Sequence, residues 1–131
     1  MTRPPSGYPP PTTGVFEDET IALTPLAEAV ADRYFAEFPQ DFDRYGEAAR
    51  AWEIHDTLHT LKWALLDVQG YTSLETQITW LAGILGARGF PLAQLARNLE
   101  LAADVAQERI GAPVAERLRA AAELVPVDRR P

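Results

Sequence analysis

Two histidines lie four residues apart, and this is the spacing in the sequence that is most typical of a chemical site. His55 and His59 are separated by one helical turn, so both imidazoles project from the same side of a helix. That is the spacing with which a histidine pair binds zinc. The chain has no cysteine and no third histidine, so further ligands would be carboxylates, with Asp104, Glu100 and Glu37 as candidates.

The string from His55 to His59 also matches the H-E-x-x-H signature of zinc proteases, except that Asp56 replaces the glutamate. Aspartate is one methylene shorter, which disfavours its reaching a zinc-bound water as a general base. Two partly buried imidazoles packed between Trp52 and Trp63 explain the same residues without metal. We therefore expect no metal, no cofactor and no catalytic residue, and keep a metal site at His55 and His59 as the alternative.

Trp52, His55, His59 and Trp63 share one face of a helix, hereafter the Trp/His row. Three interpretations stay open for this row: a core surface, a subunit interface, or a pocket for a flat ligand. Tryptophan is enriched at interfaces because it brings a large contact area and one hydrogen-bond donor. Trp80, the third tryptophan of the chain, is a further candidate anchor of an interface.

The segment that carries the row, residues 47–69, has a second apolar face on its nearly opposite side. Its members recur at alternating steps of four and three: Ile54, Leu58, Leu61, Leu65 and Val68. A polar wedge between the faces contains Glu53, Asp56, Thr60 and Asp67. A helix with two apolar faces must be covered twice, so we predict that it is central in a bundle or meets a second chain.

The rest of the sequence predicts an all-α domain of five to six helices over residues 21–125. A Pro-rich disordered tail is expected at 1–20 and a flexible tail at 126–131. Proline near helix starts and glycine near helix ends predict helices at about 24–38, 74–88, 91–110 and 113–125. A short helical turn is expected at 41–45. No segment alternates as a strand does, so no strand is predicted.

Several helix ends carry signals of their own. Thr24 is expected to cap the first helix, and Thr72 with Glu75 to form a capping box at the start of the helix 74–88. Gly83 and Gly86 inside that helix suggest close backbone packing.

Composition excludes other classes of protein. The net charge of −7 disfavours binding to nucleic acid or anionic lipid, and no run of 18 apolar residues predicts a membrane span. The sequence starts without the apolar segment of a secretory signal, so a cytoplasmic location is expected. Phosphate-binding loops and the nucleophile motif G-x-S-x-G are absent from the sequence.

One string resembles the end of a helical sensor module of bacterial regulators: Trp80-Leu81, Leu85, Arg88-Gly89-Phe90-Pro91, Leu95 and Leu99. Such modules include the non-haem globin-like N-terminal domains of stressosome proteins and the helical segments before some cobalamin-binding regulators. Arg44-Tyr45-Gly46, Asp56 and His59 fit the same likeness, which covers residues 24–125. It implies a globin-like bundle that dimerises through helices and binds a signal or a partner. The helices 74–88 and 91–110 contain no proximal histidine, so haem is not expected.

These observations together predict a non-catalytic regulatory sensor or adaptor domain that forms a homodimer and binds a protein partner. A small helical metal-binding protein with its site at His55 and His59 is one alternative. A small-ligand-binding module using the Trp/His row is the other.

Overall fold

Six helices and a short β-hairpin form the protein in this computed structural model, which describes residues 9–127. The hairpin consists of β1 (Thr13–Phe16) and β2 (Glu19–Ala22). The helices are α1 (Thr24–Glu37), α2 (Pro39–Tyr45), α3 (Glu47–Val68), α4 (Leu74–Ala87), α5 (Leu92–Arg109) and α6 (Ala112–Leu124). The predicted all-α class and helix number are confirmed. Residues 1–8 of the expected tail at 1–20, and residues 128–131 of the expected tail at 126–131, lie outside the described residues.

The hairpin contradicts the prediction that the chain has no strand. Thr13 lies opposite Ala22 and Phe16 opposite Glu19, which leaves Glu17 and Asp18 as a two-residue turn. Both turn residues have positive φ angles, 51° and 66°, the geometry of a type I′ hairpin turn. Residues 13–20 of the expected tail therefore belong to the hairpin. Each strand has four residues, too few for a recognisable alternation.

Contacts with α3 hold the hairpin in place. The Gln69 side-chain amide donates to the Val15 carbonyl at 2.7 Å, and the Lys62 ammonium donates to the Thr13 carbonyl at 3.2 Å. Gly14 faces the fully buried Leu65 so closely that a Cβ atom added at Gly14 would lie 2.4 Å from Leu65 Cδ1. An alanine at this position would therefore force the Leu65 side chain to move.

We expect Gly14→Ala to lower the free energy of unfolding by about 1–3 kcal/mol, because Leu65 is packed on all sides and its methyl group has little room to move. The matched control is Gly83→Ala. A Cβ at Gly83 would meet nothing within 4 Å, so alanine should raise helix stability by up to about 1 kcal/mol. Urea unfolding of the two variants gives both values. Equal stabilities would show that the hairpin does not pack on Leu65.

The two glycines inside α4 contradict the prediction of close backbone packing. Both Gly83 and Gly86 are exposed, and a Cβ at Gly86 would make ordinary contact with Leu92 at 3.5 Å. The expected close backbone packing of α4 at these glycines was therefore wrong.

The helix starts differ from the predicted caps by one residue. Ser73, not Thr72, caps α4 by accepting from the Thr76 N–H at 3.2 Å, and the Asp67 carboxylate accepts from the Leu74 N–H at 2.7 Å. A capping box with Thr72 is therefore wrong, because the chain enters the helix one residue later. Thr24 is already the first residue of α1, and its N-cap is Leu23, which has no side-chain cap.

The core lies where α3 packs against α1, α4 and α6, and where α5 packs against α1 and α6. Leu58, Leu61 and Leu65 are buried, which confirms the stripe predicted from their spacing. Ile54 and Val68, at its ends, are partly buried against the same core. The other helices contribute the remaining large buried side chains: Leu26, Val30, Tyr34, Leu74, Ile78, Leu95, Leu99, Leu101, Val105, Val114 and Leu118.

Candidate functional site

A cavity of about 540 Å³ lies between α1, α2, α3, α4, the α4–α5 loop and α5. This volume is typical of small-molecule sites. One part of its wall is apolar, and consists of Ala49, Leu81, Leu85, Phe90, Pro91 and Leu95. The other part is polar, and consists of Tyr34, Asp41, Arg44, Tyr45, Glu53, Asp56, Thr60, Arg88, Gln94 and Asn98. Polar side chains in such number are unusual beside a helical core, and each must be satisfied by a partner or by what fills the cavity.

Glu53 is the most unusual residue of this wall. The buried Thr57 hydroxyl donates to its Oε2 at 2.9 Å. Glu53 keeps some accessible surface through the cavity, but protein atoms surround the carboxyl group. This burial raises the pKa of Glu53 to about 8, and the hydrogen bond from Thr57 opposes the rise. At neutral pH the carboxyl group is therefore mostly protonated and acts as a neutral hydrogen-bonding group.

The buried amide of Asn98 on α5 completes this cluster. With its nitrogen toward Glu53, the amide donates to Oε2 at 2.7 Å and to Oε1 at 3.1 Å. With the opposite orientation, the nitrogen donates to Thr57 Oγ1 at 3.4 Å and the amide oxygen faces a protonated carboxyl group. Either protonation state of Glu53 therefore has a matching arrangement of Asn98.

A second polar cluster joins α1, α2 and α5. The Gln94 amide donates to Tyr34 Oη and to Asp41 Oδ2, both at 2.7 Å, and the Tyr34 hydroxyl donates to Asp41 Oδ2 at 3.1 Å. Burial raises the pKa of Tyr34 above its ordinary value, so the phenol stays protonated. Asp41 thus has two donors from the protein itself.

The Trp/His row runs along α3 outside the cavity. Its members are half-buried, and their ring centroids are separated by 5.3 Å (Trp52 to His55), 4.9 Å (His55 to His59) and 6.0 Å (His59 to Trp63). None of the four lines the cavity. Trp63 packs partly against the core, and the remaining surface of the row faces outward.

Asp56 links the row to the cavity. Its carboxylate lines the cavity and lies 3.1 Å from His55 Nδ1. Burial raises the pKa of Asp56 and the contact with His55 opposes this, although 41% of the side-chain surface stays accessible, so the shift carries little free energy. Burial lowers the pKa of His59, helped by the neighbouring His55.

The carboxylates considered as third metal ligands are paired elsewhere. Glu37 and Glu100 accept from Arg97, at distances down to 2.6 and 3.3 Å, and Asp104 pairs with Arg119 at 3.3 Å. Within residues 9–127, no group of three or more His, Asp or Glu side chains is arranged to hold a metal ion. The metal-site alternative therefore rests on the histidine pair alone.

Trp80 lies apart from the row and is 59% exposed. It borders a shallow groove on α4 and α6, together with Glu75, Thr76, Thr79 and Leu124. The structure thus separates the predicted site residues into a row on α3 and a single tryptophan on α4.

Sequence reasoning missed the cavity because its polar residues come from separate helices. Glu53, Asp56 and Thr60 were recognised as a polar wedge of α3, and such a wedge usually faces solvent. Thr57 and Thr60 are in fact buried, and Asn98 reaches Thr57 from 41 residues away in the sequence. The available signal was the position of the wedge between two apolar faces of α3. Because other elements must cover both apolar faces, the wedge between them is partly enclosed as well.

The fold and the cavity define a class: a helical-bundle domain with a partly polar internal cavity. Comparisons of the chain with protein-family models, curated proteins and solved structures found no match. Among residues 9–127, no helix combines the length and apolar composition needed to cross a membrane.

Proposed function

We propose that this protein is a non-catalytic regulatory domain that binds a small molecule in the cavity and signals through the outer face of α3. The observation that carries the proposal is Glu53, a carboxyl group enclosed by Thr57 and Asn98 at the wall of a cavity of about 540 Å³. Withdrawing such a group from water is costly, and an apolar side chain at this position would pack at lower cost. A ligand that uses the group gives a reason for its presence.

The arrangement favours binding over a purely structural role for the polar clusters. Ligand sites combine a mainly apolar wall with a few polar groups that fix orientation. Leu81, Leu85 and Phe90 supply the apolar wall, while Glu53 and Gln94 supply polar groups from two helices. The site belongs to rigid helices, which suits recognition of one ligand shape.

The route from the cavity to a partner would run through Asp56 and His55. A ligand that bonds to Asp56 competes with the contact to His55 and so changes the hydrogen bonding of the Trp/His row. The row is half-exposed and rich in tryptophan, as partner surfaces are. This is the sensor or adaptor function expected from the sequence, with the ligand site placed in the cavity instead of on the row.

A thermal-shift screen of metabolites tests ligand binding. A ligand at about one hundred times its Kd stabilises the native state by about 2.7 kcal/mol, enough to raise Tm by several degrees. We expect such ligands to stabilise the parent protein and not Leu85→Trp, which fills the cavity. The control is Leu124→Trp, which adds the same side chain at a position that is 49% exposed. Equal stabilisation of all three proteins by every hit would contradict a cavity site.

We also propose that the protein forms a symmetric homodimer through α3 or α4, with Trp52, Trp63 or Trp80 at the contact. Light scattering at micromolar concentration should give twice the chain mass of 14.5 kDa. Trp80→Ser tests the α4 surface, and Tyr71→Ser, at a residue that is 77% exposed, is its control. A mass of 14.5 kDa that does not change with concentration would refute the dimer.

A further inference from the structure

We propose that the ligand of the cavity is an amphipathic organic anion, whose acidic group binds Arg44 and Arg88 and whose apolar body packs against Leu81, Leu85 and Phe90. This inference rests on the proposed function, because it names the chemistry of the ligand for the same cavity.

The two arginines of the cavity are exceptions within the protein. Five of the eight arginines in residues 9–127 form ion pairs, with Glu108, Asp32, Glu37, Asp67 and Asp104 as partners. The three without an ion pair are Arg44, Arg88 and Arg109, and two of these line the cavity. In a chain with a net charge of −7, two arginines at one cavity without a carboxylate partner mark a place for an external anion.

The acidic side chains of the cavity do not supply that partner. Asp41 accepts from Tyr34 and Gln94, and Asp56 lies against His55. The raised pKa of Glu53 keeps this carboxyl group mostly neutral at pH 7. The charge that is left without a partner at the cavity wall is therefore positive.

The positions of the arginines place the anion at the opening. Arg44 is in the last turn of α2 and Arg88 is the C-cap of α4, and both side chains are exposed although they line the cavity. Arg44 also lies over the Tyr45 ring, with its guanidinium carbon 5.2 Å from the ring centroid, which restricts its orientation. A ligand anchored there extends its body inward along the leucines and Phe90 toward Glu53.

Two dyes that share one apolar body provide a direct test. Anilinonaphthalene sulfonate carries an anionic group, and phenylnaphthylamine is the same body without it. We expect the sulfonate to bind the parent protein at one site per chain, and to bind it more tightly than the neutral dye. Arg44→Gln with Arg88→Gln should weaken sulfonate binding by about tenfold or more and leave the neutral dye unchanged.

The matched control is Arg109→Gln, which removes the third unpaired arginine at a position away from the cavity. It should leave the binding of both dyes unchanged. The arginine variants should all keep the melting curve of the parent, because the replaced arginine side chains are exposed. Leu85→Trp should abolish binding of both dyes.

The outcomes separate the two proposals. If Leu85→Trp abolishes binding of both dyes but the arginine variants change the binding of neither, the proposal of an anionic ligand is refuted and the proposal of a ligand site in the cavity is retained. If Arg109→Gln weakens the sulfonate as much as the cavity variants do, the effect is one of net charge and the anion site is refuted. If Leu85→Trp changes neither dye, both proposals fail together.

Discussion

Leu65→Ala is expected to lower the free energy of unfolding by about 2–5 kcal/mol. Leu65 is fully buried in the last turn of α3, where it packs in the core and against Gly14 of the hairpin. Alanine would leave a cavity at this junction, and the loss is the removed burial plus the cost of that cavity. Domains of this size are stable by about 5–15 kcal/mol, so the variant would lose a large part of its stability.

Leu58→Ala should fall in the same range, because Leu58 lies two turns earlier on the same stripe and is also buried. The control is Leu124→Ala, at a residue that is 49% exposed, where we expect a change of about 0.5 kcal/mol. Chemical unfolding monitored by circular dichroism gives all three values. If Leu65→Ala unfolds like Leu124→Ala, the stripe does not face the core.

The sequence predicted α3 and its buried stripe because both depend on local spacing. A repeat of four and three residues puts Leu58, Leu61 and Leu65 on one side of any helix, whatever packs against it. Helix ends were predicted nearly as well, because glycine adopts positive φ angles readily. Gly46 and Gly89 have φ angles of 64° and 79°, and the preceding helices end there. The caps were misplaced by one residue, which is the usual precision for such signals.

The cavity depends on contacts that spacing does not encode. Gln94 bonds to Tyr34 across 60 residues of sequence, and Asn98 reaches Glu53 from a different helix. Periodicity shows which residues share a face, but not which helix covers that face. The hairpin was missed for a related reason, since its position depends on Leu65 and Gln69 of α3 and not on a pattern in its own eight strand residues.

The Trp/His row is a different case, because its residue types are conspicuous in the sequence while the cavity lies beside another face of α3. Its residues do lie in a continuous line, as their spacing predicted. The enclosed polar groups, however, are Glu53, which belongs to the wedge beside the row, and Thr57, one turn further along α3. Whether the row itself is a contact surface stays a prediction, which the light-scattering experiment tests.

Glu53→Gln is expected to change how stability depends on pH. The pKa of Glu53 in the folded protein is about 8, above the ordinary value of 4.5. The native state therefore holds a proton that the unfolded chain releases between these values. The stability that Glu53 contributes is fully present below about pH 4.5 and is lost as the pH rises through about 8.

The size of this effect follows from the shift, at about 1.4 kcal/mol per pH unit. A change from 4.5 to about 8 corresponds to at most about 5 kcal/mol, and contact of Glu53 with the cavity reduces it, so we expect about 2–4 kcal/mol. Glutamine has the shape of the protonated side chain and does not titrate. The variant should match the parent at about pH 5 and be the more stable protein at about pH 9.

Urea unfolding of both proteins across this range measures the difference. The other ionisable groups of the cavity wall are present in both proteins, so their contributions largely cancel; they are Tyr34, Asp41, Arg44, Tyr45, Asp56 and Arg88. Glu28→Gln, at an exposed glutamate, is the control and should follow the parent at every pH. If Glu53→Gln also follows the parent, Glu53 is ionised in the native protein. Its carboxylate would then balance one of the cavity arginines, and the charge argument for an anionic ligand would lose its main support.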